Sequence, residues 1–256
     1  MIRRTALKTM TAGAASVATM ATAAAYQPQK STEILMLVYP QFTALDLVGP
    51  HHVLRSLGRY KVKLVAKSTK PVTSDTGLTI TPELALKDCP EAPAVLFIPG
   101  GTMGTIQAME DQETREFVAS RGAKSQYVTS VCTGSFVLAA AGLLKGYKAT
   151  THWLALESLK LFGAEPVSER VVVDRNRITG AGVTAGIDFG LALASKLMDE
   201  SYAKAVQLMM EYDPQPPFHN GSPKTADKDS ITMLRAMTKP FQTQLTTTAK
   251  RLAKTN

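Results

Sequence analysis

Residues 127–144 read YVTSVCTGSFVLAAAGLL. Tyr127–Val131 has the length and the β-branched content of a strand. Ser135–Leu144 is almost wholly apolar, which marks a helix buried inside the molecule rather than lying on its surface. Only Cys132-Thr133-Gly134 separates the two. A strand that passes into a core helix with no loop is the unit of an α/β sheet covered by helices.

The same alternation continues on both sides. Glu33–Tyr39 (EILMLVY) and Ala94–Ile98 (AVLFI) are continuous apolar runs, as expected of strands buried on both faces, and Tyr60–Ala66 (YKVKLVA) alternates. Helical spacing is predicted for Leu45–Leu57, interrupted at Gly49-Pro50, and for Asp111–Ala123, His152–Phe162, Thr184–Met198 and Ser201–Tyr212. Val171–Val173 and Arg177–Thr179 are expected to be short strands around an Asp-Arg-Asn turn. The pattern predicts an α/β fold with a mostly parallel sheet and helices on both faces, with neither an internal repeat nor an interdomain linker.

Composition excludes several classes. With 45% hydrophobic and 20% charged residues in 256, the chain is neither disordered nor collagen-like, and two cysteines make no disulfide framework. No run approaches the roughly 18 apolar residues of a membrane span, so no stable membrane insertion is expected. The net charge of +8 sits at the ends. Residues 1–25 hold three basic side chains and no acid; residues 224–256 hold seven basic and two acidic. Residues 26–223 carry 19 of each, which gives no support to a nucleic-acid-binding face. Residues 1–25 combine Arg3-Arg4, a weakly apolar run and Ala23-Ala24-Ala25, and resemble a twin-arginine export signal. They predict a mature chain starting near Tyr26 in the periplasm or outside the cell.

Three strand ends carry candidate chemistry. Cys132 stands where a sharp turn leads into a helix, a cysteine version of the nucleophile elbow. Free N–H groups at the helix start are expected to favour thiolate; a small buried core residue is the plainer alternative. Gly100-Gly101, after Ala94–Ile98, expose backbone N–H groups that could form half of an anion hole, the Thr133 N–H supplying the other half. Asp46, between Leu45 and Leu47, is either a carboxyl raised in pKa by apolar surroundings or a helix cap. Cys89, within Asp88-Cys89-Pro90, reads as structural.

YPQFTALDLVGP (39–50), LFIPGG (96–101), YVTSVCTGSFVLAAAGLL, ATTHW (149–153), ITGAGVTAGIDFGL (178–191) and VQLMMEYDPQPPFHNGSP (206–223) resemble the PfpI-like superfamily, and within it the isonitrile hydratase branch. The resemblance runs from about Thr32 to Pro223. It implies a class I glutamine amidotransferase-like, flavodoxin-like three-layer sandwich and a catalytic domain over residues 31–223. It also implies a homodimer acting on a small-molecule substrate. The implied reaction is hydration of an isonitrile to an N-substituted formamide through a cysteine thioimidate, without metal or organic cofactor. Cys132 takes the place of the nucleophile, Asp46 of the essential acid and Thr133 of the hydroxyl residue beside the cysteine. The acid and the thiol are expected to share one proton.

Proteases and amidases of the superfamily place His directly after the cysteine, where this chain has Thr133, so a Cys-His relay at the elbow is absent. His152 is an accessory candidate or a packing residue. His51-His52 lacks the companions of a metal site, and Asp188 reads as structural. Regulators of the superfamily append a helix-turn-helix, for which the 33 residues after Pro223 are too few. The alternative function is a thiol redox sensor or a ligand-binding module of the same superfamily. The basic tail 224–256 is expected to hold a helix broken near Pro240.

Overall fold

The computed structural model describes residues 31–254; the expected signal at residues 1–25 lies outside them. In chain order the elements begin with β1 (Glu33–Leu37), α1 (Ala44–Arg55), β2 (Lys61–Ala66), the hairpin β3 (Val72–Thr73) and β4 (Thr79–Ile80), and β5 (Leu84–Ala85). Next come β6 (Val95–Ile98), α2 (Thr102–Glu110), α3 (Gln112–Lys124), β7 (Tyr127–Val131), α4 (Gly134–Ala140) and β8 (Lys148–Ala149). A 3-10 helix (Trp153–Phe162) precedes β9 (Glu165–Pro166), β10 (Val171–Asp174), β11 (Arg177–Gly180), α5 (Ala185–Leu197), α6 (Glu200–Met209) and α7 (Lys228–Leu252).

The main sheet has the order β10-β11-β7-β6-β1-β2-β5 and is parallel except for the β10–β11 pair. The continuous apolar runs take its centre: Leu35 of β1 lies level with Leu96 of β6 and Lys63 of β2, and all four residues of β6 are buried. Helices α1, α5 and α6 pack together in one layer, and α2, α3, α4 and α7 in the other. This is the expected three-layer α/β sandwich. The strand ends that carry Cys132 and Gly100-Gly101 are neighbours because β7 and β6 are parallel and adjacent, with Ile98 level with Ser130.

Four local expectations are corrected. Gly49-Pro50 does not interrupt α1, which runs through Pro50 with both residues buried in the molecule. The core helix stops at Ala140 rather than Leu144, because the Gly142 and Leu143 N–H groups turn back onto the Ala139 and Leu138 carbonyls. The segment Trp153–Phe162 is 3-10 rather than α. The tail helix α7 is continuous through Pro240. A proline removes one helical hydrogen bond, but here burial of Leu245, Ala249 and Leu252 holds the helix, and Glu110 of α2 accepts from Thr248 Oγ1 and pairs with Arg251.

Candidate active site

Cys132 sits at the end of β7 with φ of 56°, a left-handed conformation that costs a non-glycine residue about 1–3 kcal/mol. Four hydrogen bonds hold it there. Its N–H donates to the Gly180 carbonyl (3.0 Å) and the Ala181 carbonyl (2.8 Å), and its carbonyl accepts from Thr151 Oγ1 (2.8 Å) and Ser135 Oγ (3.3 Å). Gly134 is required next, since a Cβ there would collide with the carbonyl oxygens of Ile98 and Pro99. The sharp elbow expected from the sequence is thus present, and its backbone is fixed by β11 and by the segment before the 3-10 helix.

Asp46, in the first turn of α1, is fully buried. Its Oδ2 accepts the Gly100 N–H (2.9 Å), and its carboxyl lies within hydrogen-bonding reach of the Cys132 thiol. Oδ1 is buried and accepts from no N–H or O–H group of the described residues. Burial raises its pKa from 3.8 to about 7, against the pull of the Gly100 N–H and the thiol. Asp46 is therefore a raised carboxyl and not a helix cap; Thr43 stands at the cap position of α1.

Two expectations about the site are corrected. Cys132 is only 6% exposed, and burial, followed by the neighbouring Asp46, pushes its thiol well above the usual range. The Thr133 and Val183 N–H groups donate to the sulfur and oppose this, but the seven-residue α4 does not outweigh desolvation, so the resting group is a thiol and not a thiolate. The glycine N–H groups are also not an open anion hole. That of Gly100 is held by Asp46, and that of Gly101 donates to Thr133 Oγ1 (3.1 Å). The glycines position the two side chains instead. A Cβ on Gly100 would come within 2.6 Å of Asp46 Oδ2 and 2.8 Å of Thr133 Oγ1, so both oxygens face the same side of that residue.

The structure therefore brings Cys132, Asp46, Thr133, Gly100 and Gly101 together. His152 is not hydrogen-bonded to them. Its Nδ1 accepts the Leu154 N–H (3.4 Å), burial lowers its pKa, and it lines a cavity of about 420 Å³ with Trp153, Leu156, Thr151 and Val183, the last two of which also contact Cys132. Sequence reasoning missed Thr151, Val183 and Tyr39, although all three lie in quoted segments, and it missed Thr105. The Thr105 and Thr133 hydroxyls are 2.7 Å apart, and the Tyr39 hydroxyl lies 3.3 Å from Thr105 while donating to the Pro99 carbonyl (2.6 Å). Cys89 is buried away from this cluster, its thiol on the Ala85 carbonyl and its pKa pushed up to about 11 by burial. Asp188 pairs with Arg170 and accepts from the Tyr212 hydroxyl, a structural role. Among the described residues no group of three or more His, Cys, Asp or Glu side chains is placed to hold a metal ion, and no helix is long and apolar enough to cross a membrane.

Comparison with known proteins agrees with this fold. The chain is 49% identical over 208 residues to an isonitrile hydratase of Pseudomonas putida, covering 81% of this chain and 90% of that one. A crystal structure of a THiJ/PfpI family protein from Pseudomonas syringae superposes with a TM-score of 0.83 at 51% identity, over 93% of this chain and 97% of that one. The chain is also 29% identical to the transcriptional regulator GbdR of Pseudomonas aeruginosa, over 73% of this chain and 52% of the regulator. The match to the isonitrile hydratase overturns one expectation. It is a likeness to a catalytic body and gives no support to a twin-arginine signal or to the periplasm, so that reading of residues 1–25 falls. Residues 32–196 match the DJ-1/PfpI family, a stretch that takes in every residue described around Cys132, and the chain belongs to that family.

Proposed function

We propose that this chain hydrates an isonitrile, R–N≡C, to the N-substituted formamide, with Cys132 as nucleophile and Asp46 as the group that moves the proton. The observation that carries the reading is the buried Asp46 carboxyl, raised to about 7, against the Cys132 thiol. The two share one proton near neutrality. The thiol adds to the terminal carbon as its proton passes through Asp46 to that carbon, giving the thioimidate R–N=CH–S–Cys132. Water then adds to the same carbon, with its proton carried by Asp46 to nitrogen. Collapse of the adduct returns the remaining hydroxyl proton to sulfur and releases R–NH–CHO. The net reaction adds one water to the isonitrile: the formyl hydrogen comes from the thiol, which regains its proton from water.

A closed site suits this chemistry, since a developing charge is handled by fixed dipoles rather than by bulk water. The redox-sensor alternative is disfavoured by the same facts: a buried thiol of raised pKa is slow to oxidise. A homodimer belongs to the reading as well, supported by Leu45 and Val48, 43% and 41% exposed on α1 on either side of Asp46. Incubation with an alkyl isonitrile tests the proposal. Formamide release, with an intact-mass adduct equal to one isonitrile on Cys132, is the expected result, and absence of both overturns it.

A further inference from the structure

Three buried hydroxyls form a chain behind the candidate site: Thr133 Oγ1, Thr105 Oγ1 and Tyr39 Oη. Their protons can be counted. Tyr39 gives its proton to the Pro99 carbonyl at 2.6 Å, so towards Thr105 it can only accept. Thr105 has one proton for two neighbours. If it donates to Thr133, two lone pairs face each other across the Tyr39–Thr105 contact, and the Thr133 proton has no acceptor among the contacts in the structure. If it donates to Tyr39, Thr133 donates to Thr105 and every hydroxyl proton is used. Buried polar groups take the arrangement that satisfies them, so the chain runs Thr133 to Thr105 to Tyr39 to Pro99.

This direction decides what Thr133 offers the site. Its proton is turned inward, and the Gly101 N–H occupies one lone pair. The remaining lone pair is an acceptor. It stands on the same side of Gly100 as Asp46 Oδ2, a second buried acceptor, whose one N–H or O–H donor among the described residues is the Gly100 N–H. Two convergent acceptors suit a molecule with two protons to give.

We infer that Thr133 Oγ1 and Asp46 together hold the water that attacks the thioimidate, and that Thr105 and Tyr39 are positioning residues that keep Thr133 an acceptor. This rests on the hydration reading and assigns the relay to its second half. In that step the water gives one proton to Asp46, its oxygen bonds to the thioimidate carbon, and its other proton stays on that oxygen, donated in a hydrogen bond to Thr133 Oγ1, until the adduct collapses. Addition of the thiol in the first half needs no acceptor at Thr133.

The test separates the two halves. Thr105→Val removes the inward acceptor, and Tyr39→Phe leaves Thr105 to donate to Thr133; either change turns the Thr133 proton out into the site. In both variants hydrolysis of the thioimidate should slow about tenfold, the scale of one misplaced hydrogen bond. Thioimidate formation, followed by intact mass in a single turnover, should keep the wild-type rate, so that the adduct accumulates. Thr105→Ser should restore hydrolysis. Wild-type hydrolysis in both variants, an equal fall in the two steps, or no rescue by serine overturns the inference while leaving the hydration reading standing. Should Thr105→Val not fold, Tyr39→Phe decides alone. A wild-type protein that yields neither formamide nor adduct overturns both.

Discussion

The Gly100 N–H and Asp46 Oδ2 are joined at 2.9 Å across 54 residues of sequence, so the end of β6 holds a carboxylate carried by α1 against a thiol at the end of β7. One backbone donor thereby fixes the carboxyl in place and opposes the rise in its pKa that burial causes.

Substitution of Gly100 tests that link most directly. Gly100→Ala places a methyl within 2.6 Å of Asp46 Oδ2 and 2.7 Å of the Thr133 nitrogen, neither of which is a flexible side-chain end free to move aside. We expect kcat/KM for isonitrile hydration to fall by roughly 10²-fold or more, the scale of acid–base help lost when the carboxyl is displaced. Retention of wild-type kcat/KM would show that Asp46 is not held there for chemistry.

The raised Asp46 pKa predicts a pH profile. Below about 7 the carboxyl is protonated and cannot take the thiol proton, so the rate should rise as pH passes upward through about 7. Asp46→Asn should abolish that limb and lower the rate by about 10²–10⁴-fold. A limb that survives in the asparagine variant would assign it to another group.

Stability should move the other way. A carboxyl whose folded pKa is raised from 3.8 to about 7 favours the folded state at low pH, and that stabilisation is lost as pH rises through the folded value. Relative to wild type, Asp46→Asn should therefore gain melting temperature as pH goes from about 4 to about 7, with no further gain above that. Thermal melts at pH 4, 5.5 and 8 give the comparison; a difference constant across them contradicts the assigned shift.

The two cysteines should separate cleanly. Cys132→Ser is expected to fold and to lose turnover, because the serine oxygen is a far poorer nucleophile at its own pKa. Cys89→Ser, remote from Asp46, should keep most activity. Turnover in the first variant, or loss of it in the folded second, contradicts the assignment.

The tail should behave as part of the folded body. Leu245→Ala empties a fully buried position and should cost about 2–5 kcal/mol in denaturant unfolding. An effect below about 0.5 kcal/mol, the range of an ordinary surface substitution, would mean that α7 is loosely attached.

What the sequence disclosed depended on the range of the forces involved. Strands β1, β6 and β7 were legible because burial on both faces leaves an unbroken apolar run, and the elbow because β7 passes into α4 without a loop. Strands β3, β4, β5, β8 and β9 have two residues each, too few for any period to register. Cys132 and Asp46 could be picked out by local context. The protonation state of Cys132 could not, because desolvation is a property of the assembled interior: helix-start donors argued for thiolate, and burial reversed it. The Tyr39–Thr105 contact joins residues 66 apart, neither of them in a motif that marks the other. The continuous α7 was misread because Pro240 is a local signal while the docking of Leu245, Ala249 and Leu252 is not.

The clasp between α7 and α2 has a consequence for the order in which the protein is made. Glu110, at the last turn of α2, meets Arg251 only after a further 141 residues have been added, whereas Thr105 one turn earlier already belongs to the hydroxyl chain behind Cys132. On the ribosome, β1, β6, β7 and the cysteine turn emerge long before the helix that clamps α2 from outside. Until residues 245–252 dock, α2 is held by α3 and α4 and lacks its outer clamp. The thiol is thus made 124 residues before the chain ends, ahead of a helix that clamps α2 from outside and contributes no group to the pocket.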